Sequence, residues 1–473
     1  MNLNHINVIA RYEVKLVKRS WLFRIFAILA LLFISAIMLG YQTGIVNRMD
    51  NLWPRIAVSS LMPFCNTYFY NIAQSVIVVF LAGSFLKRDK KLDTAEVIYV
   101  RPMSNADYIV GKTWGIVKVF ITLNIITLLF TAFLNILINK SPFDLFPYLF
   151  YLLTISVPSL LFVLGLSFTA MCILKNQAVT FIVMLGIIGT VFFYLTDTLY
   201  GVFDFFGVNI PAIFSDVTGH ADLRLFLLQR FSYLLAGIGL ISMTIALVKR
   251  LPHKPWKIAV VYTFSSLFLL AACLGGLLYI LHYNHQLDLR NQYIMTFDKY
   301  ADVPHVDLLV NDISVTPQGH RLAGKSTVKV ANNNAKPLDK IIFYLNPELT
   351  VTSVEMAGKN LPFRRDHQVI EVDQPIQQQE ELTLTINYEG KISENICYTD
   401  VLTEDYLDTK VPQVFWRFGK RYAWLSNTFT LLTPECIWYP VTIAPVNPGA
   451  PYNVRKNFTD YTLTVHYEGD KTV

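Results

Sequence analysis

Two stretches carry the pattern of a phosphate-binding loop, G-x-x-x-x-G-K-[ST], in which backbone amides and a lysine hold nucleotide phosphates. "GHRLAGKS" (Gly319–Ser326) matches in full, and "ADYIVGKT" (Ala106–Thr113) matches if alanine replaces the first glycine. A working loop joins a strand to a helix. "TVKVANN" follows Ser326 and alternates like a strand, so we predict a β-hairpin there. Thr113 leads into a long apolar run. We therefore expect no ATP site in either stretch.

Zinc and redox chemistry have similarly little support in the residues. An H-E-x-x-H pair is absent, and "HYNH" places His282 and His285 three residues apart at an expected membrane boundary, where histidines are more often interfacial. The five cysteines include no C-x-x-C pair. Cys397 and Cys436 could form a disulfide if their part of the chain lies outside the cell and their geometry fits.

The composition predicts two different parts. Of 473 residues, 53% are hydrophobic and 16% are charged, and the mean hydropathy is +0.41, which soluble domains rarely reach. The apolar excess ends near residue 283. The net charge of +6 comes largely from Lys and Arg beside apolar runs, which indicates membrane topology and not nucleic-acid binding.

The first part predicts a polytopic α-helical membrane domain of six to seven transmembrane helices, because a bilayer-crossing helix needs about 20 apolar residues. "NVIARYEVKLVKRSWLF" before it predicts an interfacial helix over residues 1–20, with Val8, Ile9, Tyr12, Leu16 and Trp21 on one face and basic residues towards headgroups. We expect the membrane domain over 21–283, a linker over 284–301 and a β-domain over 302–473. The seven apolar stretches are Trp21–Gly40, Tyr68–Leu86, Gly115–Ile138, Tyr148–Leu174, Ala178–Leu199, Leu225–Val248 and Ile258–Leu281.

Lys and Arg predict the orientation. With a cytoplasmic N-terminus, fifteen of them lie in inside segments and four in outside loops. Seven crossings then place the C-terminal part outside the cell, and the loss of one crossing would place it in the cytoplasm. Charge within the apolar stretches is scarce: Arg24 and Lys118 lie near ends, and Asp197, Asp204 and Asp216 lie at or beyond an outer end. This scarcity counts against an ion-coupled carrier.

The largest inside loop covers residues 87–112. "DTAEVIYV" predicts a short helix capped by Asp93 or Thr94 and stopped by Pro102, and "SNADYIVGK" predicts a second one capped by Ser104 or Asn105. Together they would form a docking ledge at the membrane surface. A connecting loop made positive by topology alone is the other interpretation.

These residues resemble ABC-2 type exporter permeases over about 5–250. The resemblance lies in "RYEVKLVKRSWLFRIFAILALLF" and in a T-x-E-x-x-x-x-x-P-x-S-x-x-x-Y-x-x-G-K run from Thr94 to Lys112. It implies the membrane subunit of an exporter in a bacterial inner membrane, acting as a homodimer or paired permease, with ATP and Mg²⁺ in a separate ABC ATPase. It also implies that the ATPase contacts the loop and the interfacial helix. The loop residues are Arg88, Asp93, Thr94, Glu96, Tyr99, Arg101, Pro102, Ser104, Tyr108 and Lys112, and the helix residues are Arg11, Glu13, Lys18 and Arg19.

Residues 302–473 read as short alternating strands and predict an all-β, antiparallel sandwich or saddle. "LAGKSTVKVANNNAKPLDKIIFYLNPELTVTSVEMAGKNLPF", "CIWYPVTIAPVNP" and "NFTDYTLTV" resemble the N-terminal β-domain of M1 family zinc aminopeptidases. In that family a catalytic domain with an H-E-x-x-H helix follows, and no such motif occurs before Val473. The ending "HYEGDKTV" slightly favours a truncated chain. The alternatives are therefore an exporter subunit with a non-catalytic module, the front portion of a membrane-anchored M1-type aminopeptidase, and a tethered interaction module.

Overall fold

The structure is a computed structural model, and the chain divides at His282/Tyr283 into two compact units. Each unit is described by itself. The structure describes residues 2–43, 59–83, 103–138, 142–207, 209–215, 219–220, 222–248, 255–403, 421–427, 429–444 and 458–467.

The first unit is helical. Two π-helical turns interrupt its helices: Leu152–Ser156 joins α5 to α6, and Val191–Leu195 follows α7. A small hairpin, β1 (Phe214–Ser215) and β2 (Gly219–His220), precedes α8. The helices are α1 (Leu3–Arg19), α2 (Trp21–Thr43), α3 (Leu61–Gly83), α4 (Asn105–Ile138), α5 (Leu145–Tyr151), α6 (Val157–Leu174), α7 (Gln177–Thr190), α8 (Leu223–Leu247) and α9 (Pro255–Tyr300), whose residues from Tyr283 onward belong to the second unit.

Within the described residues, seven helical segments are long and apolar enough to cross a membrane. The helical first part predicted from hydropathy is thus confirmed, but two starts differ. Helix α3 begins at Leu61 and not near Tyr68. The hydropathy prediction started late because Asn66 and Thr67 lower the local mean hydropathy, although both residues are fully buried among other helices. Helix α4 begins at Asn105, well before Gly115.

Small residues bring α6 and α8 into close contact. A Cβ on Gly165 would lie 2.8 Å from the carbonyl oxygen of Gly237, and a Cβ on Gly237 would lie 2.7 Å from backbone atoms of Leu161 and Phe162. The hydroxyl of Thr169 donates to the carbonyl oxygen of Leu240 at 3.0 Å. Close backbone approach with a hydroxyl bond is how helices associate when apolar burial alone cannot drive them together.

The second unit is rich in β-structure, as the alternating pattern predicts. Its six-stranded sheet has the order β13-β3-β4-β10-β6-β7, and its three-stranded sheet has the order β5-β9-β8. Every pair is antiparallel except β13 with β3, which is parallel and departs from the predicted antiparallel arrangement. The strands are β3 (Asp307–Gln318), β4 (Arg321–Ala331), β5 (Ile341–Tyr344), β6 (Leu349–Met356), β7 (Lys359–Asn360), β8 (Phe363–Asp366), β9 (Val369–Val372), β10 (Glu381–Gly390), β11 (Ala423–Leu425), β12 (Thr430–Leu432) and β13 (Asp460–Val465).

The larger apolar cluster of this unit lies on its long strands. Alternate residues of the long strands point into it, so that β4 contributes Val328 and Val330 while β10 contributes Leu384 and Ile386. The smaller sheet adds Phe343 of β5 and neighbours on β9 to the same cluster. The period of two in the sequence corresponds to this inward-facing row.

The stretch 284–301, expected as a linker, lies in α9 up to Tyr300. Its apolar residues recur every three or four positions and pack in one cluster with residues of the smaller sheet. Those helix residues are Leu289, Tyr293, Phe297 and Tyr300. The helical period within a polar-looking segment explains why this part is a packed helix.

Neither stretch with a phosphate-loop pattern has the required strand-to-helix geometry. "GHRLAGKS" forms the β3–β4 hairpin, where Gln318 pairs with Arg321 across the turn at Gly319, whose φ is +60°. This confirms the predicted hairpin. "ADYIVGKT" lies wholly within the first turns of α4.

Candidate functional site

The start of α4 is fixed by a reciprocal cap. The hydroxyl of Ser104 accepts a hydrogen bond from the amide of Asp107 at 3.0 Å, and the Asp107 carboxylate accepts one from the amide of Ser104 at 3.2 Å. This pairing satisfies two amides that a helix start otherwise leaves without partners. The predicted cap at Ser104 is confirmed, but the element it starts is not a separate short helix: it is the beginning of the 34-residue α4.

Helix α1 packs along this first part of α4. Its buried residues are Ile6, Ala10, Glu13 and Val17, spaced as one helical face. Two glycines of α4 allow the contact. A Cβ on Gly111 would lie 2.8 Å from Cβ of Ile9, and one on Gly115 would lie 2.7 Å from Cβ of Glu13. In the face predicted to lie at the bilayer surface, Val8 and Tyr12 are exposed, Ile9 and Leu16 are partly buried, and Trp21, the first residue of α2, is exposed.

An ion pair lies within this helix contact. Oε2 of Glu13 is 3.5 Å from Nζ of Lys112, and the two side chains are 3% and 4% exposed. The ammonium group of Lys112 also lies 5.1 Å from the ring centroid of Tyr108. Removing one charge from such a pair leaves the other buried without its counter-charge, which is costly. Glu13 and Lys112 are therefore directed towards each other.

Further polar contacts hold the same region. The Asp107 carboxylate accepts from the amide of Asn2 at 2.9 Å and lies 3.6 Å from Nδ1 of His5. The side-chain amide of Asn105 donates to the carbonyl oxygen of Val248, next to the end of α8, at 2.6 Å. We call α1, the first turns of α4 and this α8 contact the helix junction.

The predicted site residues fall into three groups. Glu13, Ser104, Tyr108 and Lys112 meet within the helix junction. Arg11, Lys18 and Arg19 are exposed on α1. The remaining loop residues lie outside the described residues, so their predicted contacts with an ATPase stay predictions. They are Arg88, Asp93, Thr94, Glu96, Tyr99, Arg101 and Pro102.

A buried polar network, which sequence reasoning missed, is centred on Arg230 of α8. The guanidinium donates to the carbonyl oxygens of Asp204 at 3.2 Å and Phe205 at 2.9 Å, and to the hydroxyl of Ser159 at 3.2 Å. The side-chain amide of Asn71 also donates to that hydroxyl, at 3.0 Å. Arg230 is a charged residue inside the apolar stretch Leu225–Val248. A charge at such a position indicates a buried polar contact, and this was the sequence feature that could have identified the network.

A polar row on α4 extends this network. Asn124, Thr127, Thr131 and Asn135 follow one helical face and are buried. The side-chain amide of Asn124 donates to the hydroxyl of Ser156, at the end of the first π-helical turn, at 2.8 Å. That of Gln74 donates to the Ser156 carbonyl oxygen at 3.3 Å. Single π-turns are frequent at functional sites, and polar side chains hold this one on both sides.

The second unit has a cavity of about 330 Å³ with a mixed-charge lining. Glu394 forms its wall by accepting from the backbone amides of Tyr422 at 2.5 Å and Ala423 at 3.0 Å. Its other oxygen lies 2.5 Å from the guanidinium of Arg421.

Burial, with the charges of neighbouring acidic groups, raises the pKa of Tyr422, beside this cavity, to about 12. The lining residues are His320, Glu348, Lys391, Ile392, Glu394, Arg421, Ala423, Trp424 and Leu425.

In the part of the chain that the structure describes, no group of three or more His, Cys, Asp or Glu residues could hold a metal ion. His282 and His285 both lie in α9.

Comparison with known proteins gave matches among solved structures alone. No family model and no curated protein matches the chain. A point mutant of an M1 zinc metallopeptidase from Deinococcus radiodurans, bound to a Tyr-Ser-Ala substrate, shares 18% identity over 34% of this chain and 33% of its own, with a TM-score of 0.25. The same mutant in another crystal structure shares 17% over 34% of this chain and 32% of its own, with a TM-score of 0.25.

A further structure of the Deinococcus radiodurans M1 zinc metallopeptidase shares 23% identity over 19% of this chain and 21% of its own, with a TM-score of 0.17. The chain thus spans about a third or less of the length of these three solved structures. The proteins found are M1 zinc metallopeptidases, the family that residues 302–473 resemble in sequence.

Proposed function

We propose that this chain is the membrane subunit of an ATP-driven ABC-2 type exporter, carrying a non-catalytic extracytoplasmic β-domain. The helix junction is the observation that carries the proposal. The residues that bear the permease resemblance include Ser104, Gly111 and Lys112, and in the structure these cap α4, admit α1 and pair with Glu13. An interfacial helix packed on a long apolar helix is a suitable element for transmitting a movement of the ATPase into the membrane.

The exposed and the buried side chains of α1 have different proposed roles. Arg11, Lys18 and Arg19 face outward on α1 and would meet the ATPase, while Glu13 and Lys112 join α1 to α4. A movement of α1 would then be passed to α4 as one body, and through Asn105 to the end of α8. The loop residues from Arg88 to Pro102 would complete the ATPase contact.

Topology supports the same assignment. Seven candidate crossing helices and the concentration of Lys and Arg in alternate loops support a cytoplasmic N-terminus and an extracytoplasmic β-domain, with the helices in a bacterial inner membrane. The ATP and Mg²⁺ would be bound by the partner ATPase, with this chain acting as a homodimer or paired permease. The chain itself would catalyse no bond chemistry.

The test is co-purification. The full chain, expressed in its native cell and solubilised in mild detergent, should bring down an ABC ATPase in about equal amount, as measured by mass spectrometry. The Arg11→Glu/Arg19→Glu double variant should lose most of that ATPase. The matched control, Lys359→Glu/Arg364→Glu, changes two exposed positions of the second unit and should retain it.

Three results would contradict parts of the exporter proposal. Protein that comes down without an ATPase, with peptides continuing past Val473 through an H-E-x-x-H motif, would replace the exporter by a membrane-anchored M1-type aminopeptidase. If the protein comes down without an ATPase and without such a continuation, the remaining interpretation is a tethered interaction module. Charge reversal at Arg88 and Glu96 with intact complex and transport would remove the loop from the coupling path.

A further inference from the structure

Cys397 and Cys436 lie side by side in the second unit. Their Sγ atoms are 3.5 Å apart, and both residues are fully buried. Cys397 directly follows the 3₁₀ turn Glu394–Ile396, and Cys436 ends the 3₁₀ turn Pro434–Cys436. A disulfide has its sulfur atoms about 2.05 Å apart, so they need to approach by about 1.5 Å.

Asn346 holds the two turns together. Its side-chain amide donates to the carbonyl oxygens of Ser393 at 2.9 Å and Cys436 at 2.7 Å, and its side-chain oxygen accepts from the amide of Ser393 at 3.0 Å. Its backbone amide donates to the carbonyl oxygen of Ile437 at 2.7 Å. The backbone on both sides of the thiol pair is therefore fixed by one buried residue, independently of any bond between the sulfurs.

Arg290 fixes the Cys397 side further. This residue is 1% exposed, and its guanidinium donates to the carbonyl oxygens of Cys397 at 2.7 Å and Tyr398 at 2.9 Å. The hydroxyl of Tyr398 then donates to the carboxylate of Glu435, beside the other cysteine, at 3.2 Å. Because these contacts already order the backbone, closing the S–S bond would cost little strain in the native state.

We propose that Cys397 and Cys436 are an oxidation site that forms an intramolecular disulfide in the mature protein. Each thiol loses a proton, the pair gives two electrons to the disulfide of a thiol–disulfide exchange partner, and that disulfide is reduced to two thiols. One S–S bond forms in this chain and one breaks in the partner. The proposal goes beyond exporter function, and it rests on the extracytoplasmic placement proposed for the second unit, because such bonds persist in oxidising compartments.

The bond would stabilise the wall of the cavity. Glu394 lies in the turn before Cys397, and its carboxylate holds Arg421 and the amide of Tyr422. The contact with the Cys436 thiol, together with burial, raises the pKa of Cys397. Since the thiolate is the nucleophile, a raised pKa slows the reaction of this thiol in the folded chain, and oxidation is expected during folding.

The direct test needs no variant. Cells are quenched in acid, the full chain is isolated, and free thiols are alkylated under denaturing conditions before and after reduction. We expect a Cys397–Cys436 linked peptide, with Cys65, Cys172 and Cys273 alkylated before reduction and all five cysteines after it. Alkylation of both Cys397 and Cys436 without reduction would overturn the proposal. A bond from either one to another cysteine would do the same.

Thermal unfolding supplies the second readout. A bond across 39 residues of separation should make reductant lower the Tm of the second unit by about 10 °C. The Cys397→Ser/Cys436→Ser variant should be insensitive to reductant, and the Cys172→Ser/Cys273→Ser control should respond like the parent. An equal response in parent and Cys397→Ser/Cys436→Ser proteins would contradict a bond at this pair. If that variant does not fold, the peptide assay decides alone.

The two proposals fail separately. A chain that co-purifies with an ATPase but has two free thiols here rejects the disulfide and leaves the exporter standing. A chain with the disulfide and no ATPase rejects the exporter and keeps the modification site.

Discussion

Glu13 of α1 and Lys112 of α4 form an ion pair that is almost completely shielded from solvent, with 3.5 Å between Oε2 and Nζ. The pair lies where Gly111 and Gly115 let the two helices approach. Helix α1 is therefore joined to α4 by both shape and charge. Both residues belong to the set expected at the ATPase contact, and because their buried side chains contact each other, the link between α1 and α4 can be tested directly.

Removing one member of this pair should destabilise the first unit. Glu13→Gln or Lys112→Met should each lower the free energy of unfolding by about 3–5 kcal/mol, because the remaining charge stays buried without its counter-charge. The double variant should recover part of that loss. Thermal stability in detergent gives the measurement, and Arg11→Gln, at an exposed position of α1, is the control. Additive losses in the double variant would show that the two charges do not interact.

A side chain at Gly115 should separate α1 from α4. Gly115→Leu places a Cβ 2.7 Å from Glu13 and 2.9 Å from the carbonyl oxygen of Ala10, so backbone must move. Overpacking of this kind costs about 1–3 kcal/mol. Protease cleavage within α1 should become faster and ATPase recovery lower. Gly189→Leu, where nothing lies within 4 Å of the added Cβ, should leave both unchanged, and equal effects of the two variants would contradict the packing argument.

Arg230 should be needed for the fold of the first unit. Arg230→Lys keeps the charge but cannot reach the carbonyl oxygens of Asp204 and Phe205 and the hydroxyl of Ser159 together. We expect a clear fall in Tm, larger for Arg230→Met than for Arg230→Lys. Arg224→Lys, at an exposed position of the same helix, is the matched control. A Tm unchanged by both Arg230 variants would show that the network adds no stability.

The sequence predicted kinds of element better than their ends and partners. Hydropathy located the helical part, and alternation located the strands, because both report on which faces are buried. Asn66 and Thr67 concealed the start of α3, since a hydropathy window cannot tell a polar residue facing another helix from one facing solvent. The helical period of Leu289 and Tyr293 identifies the packed part of α9, although the polar residues between them suggested a linker.

The candidate site was predicted less completely. The cap at Ser104 follows from local chemistry and was found, whereas the pairing of Glu13 with Lys112 joins positions far apart in the chain. No local pattern specifies such a contact. Gly111 and Gly115 stand four residues apart, a spacing that indicates close helix packing but does not name the partner helix. The proximity of two cysteines 39 residues apart has the same cause.

Acid should weaken the second unit through two carboxylates on β8 and β9 that contact the end of α9. A hydrogen bond from Lys299 lowers the pKa of Asp366 from 3.8, and one from Lys340 lowers that of Glu371 from 4.5. Because the folded-state values are depressed, this stabilisation is fully present above the ordinary values. It is lost as pH falls below them and through the folded ones. Unfolding followed from pH 6 to pH 2 should therefore show less acid sensitivity in an Asp366→Asn/Glu371→Gln variant than in the parent. Asp312→Asn, a carboxyl on β3, is the control and should keep the parent's pH profile; equal profiles in all three proteins would show that these carboxylates contribute nothing.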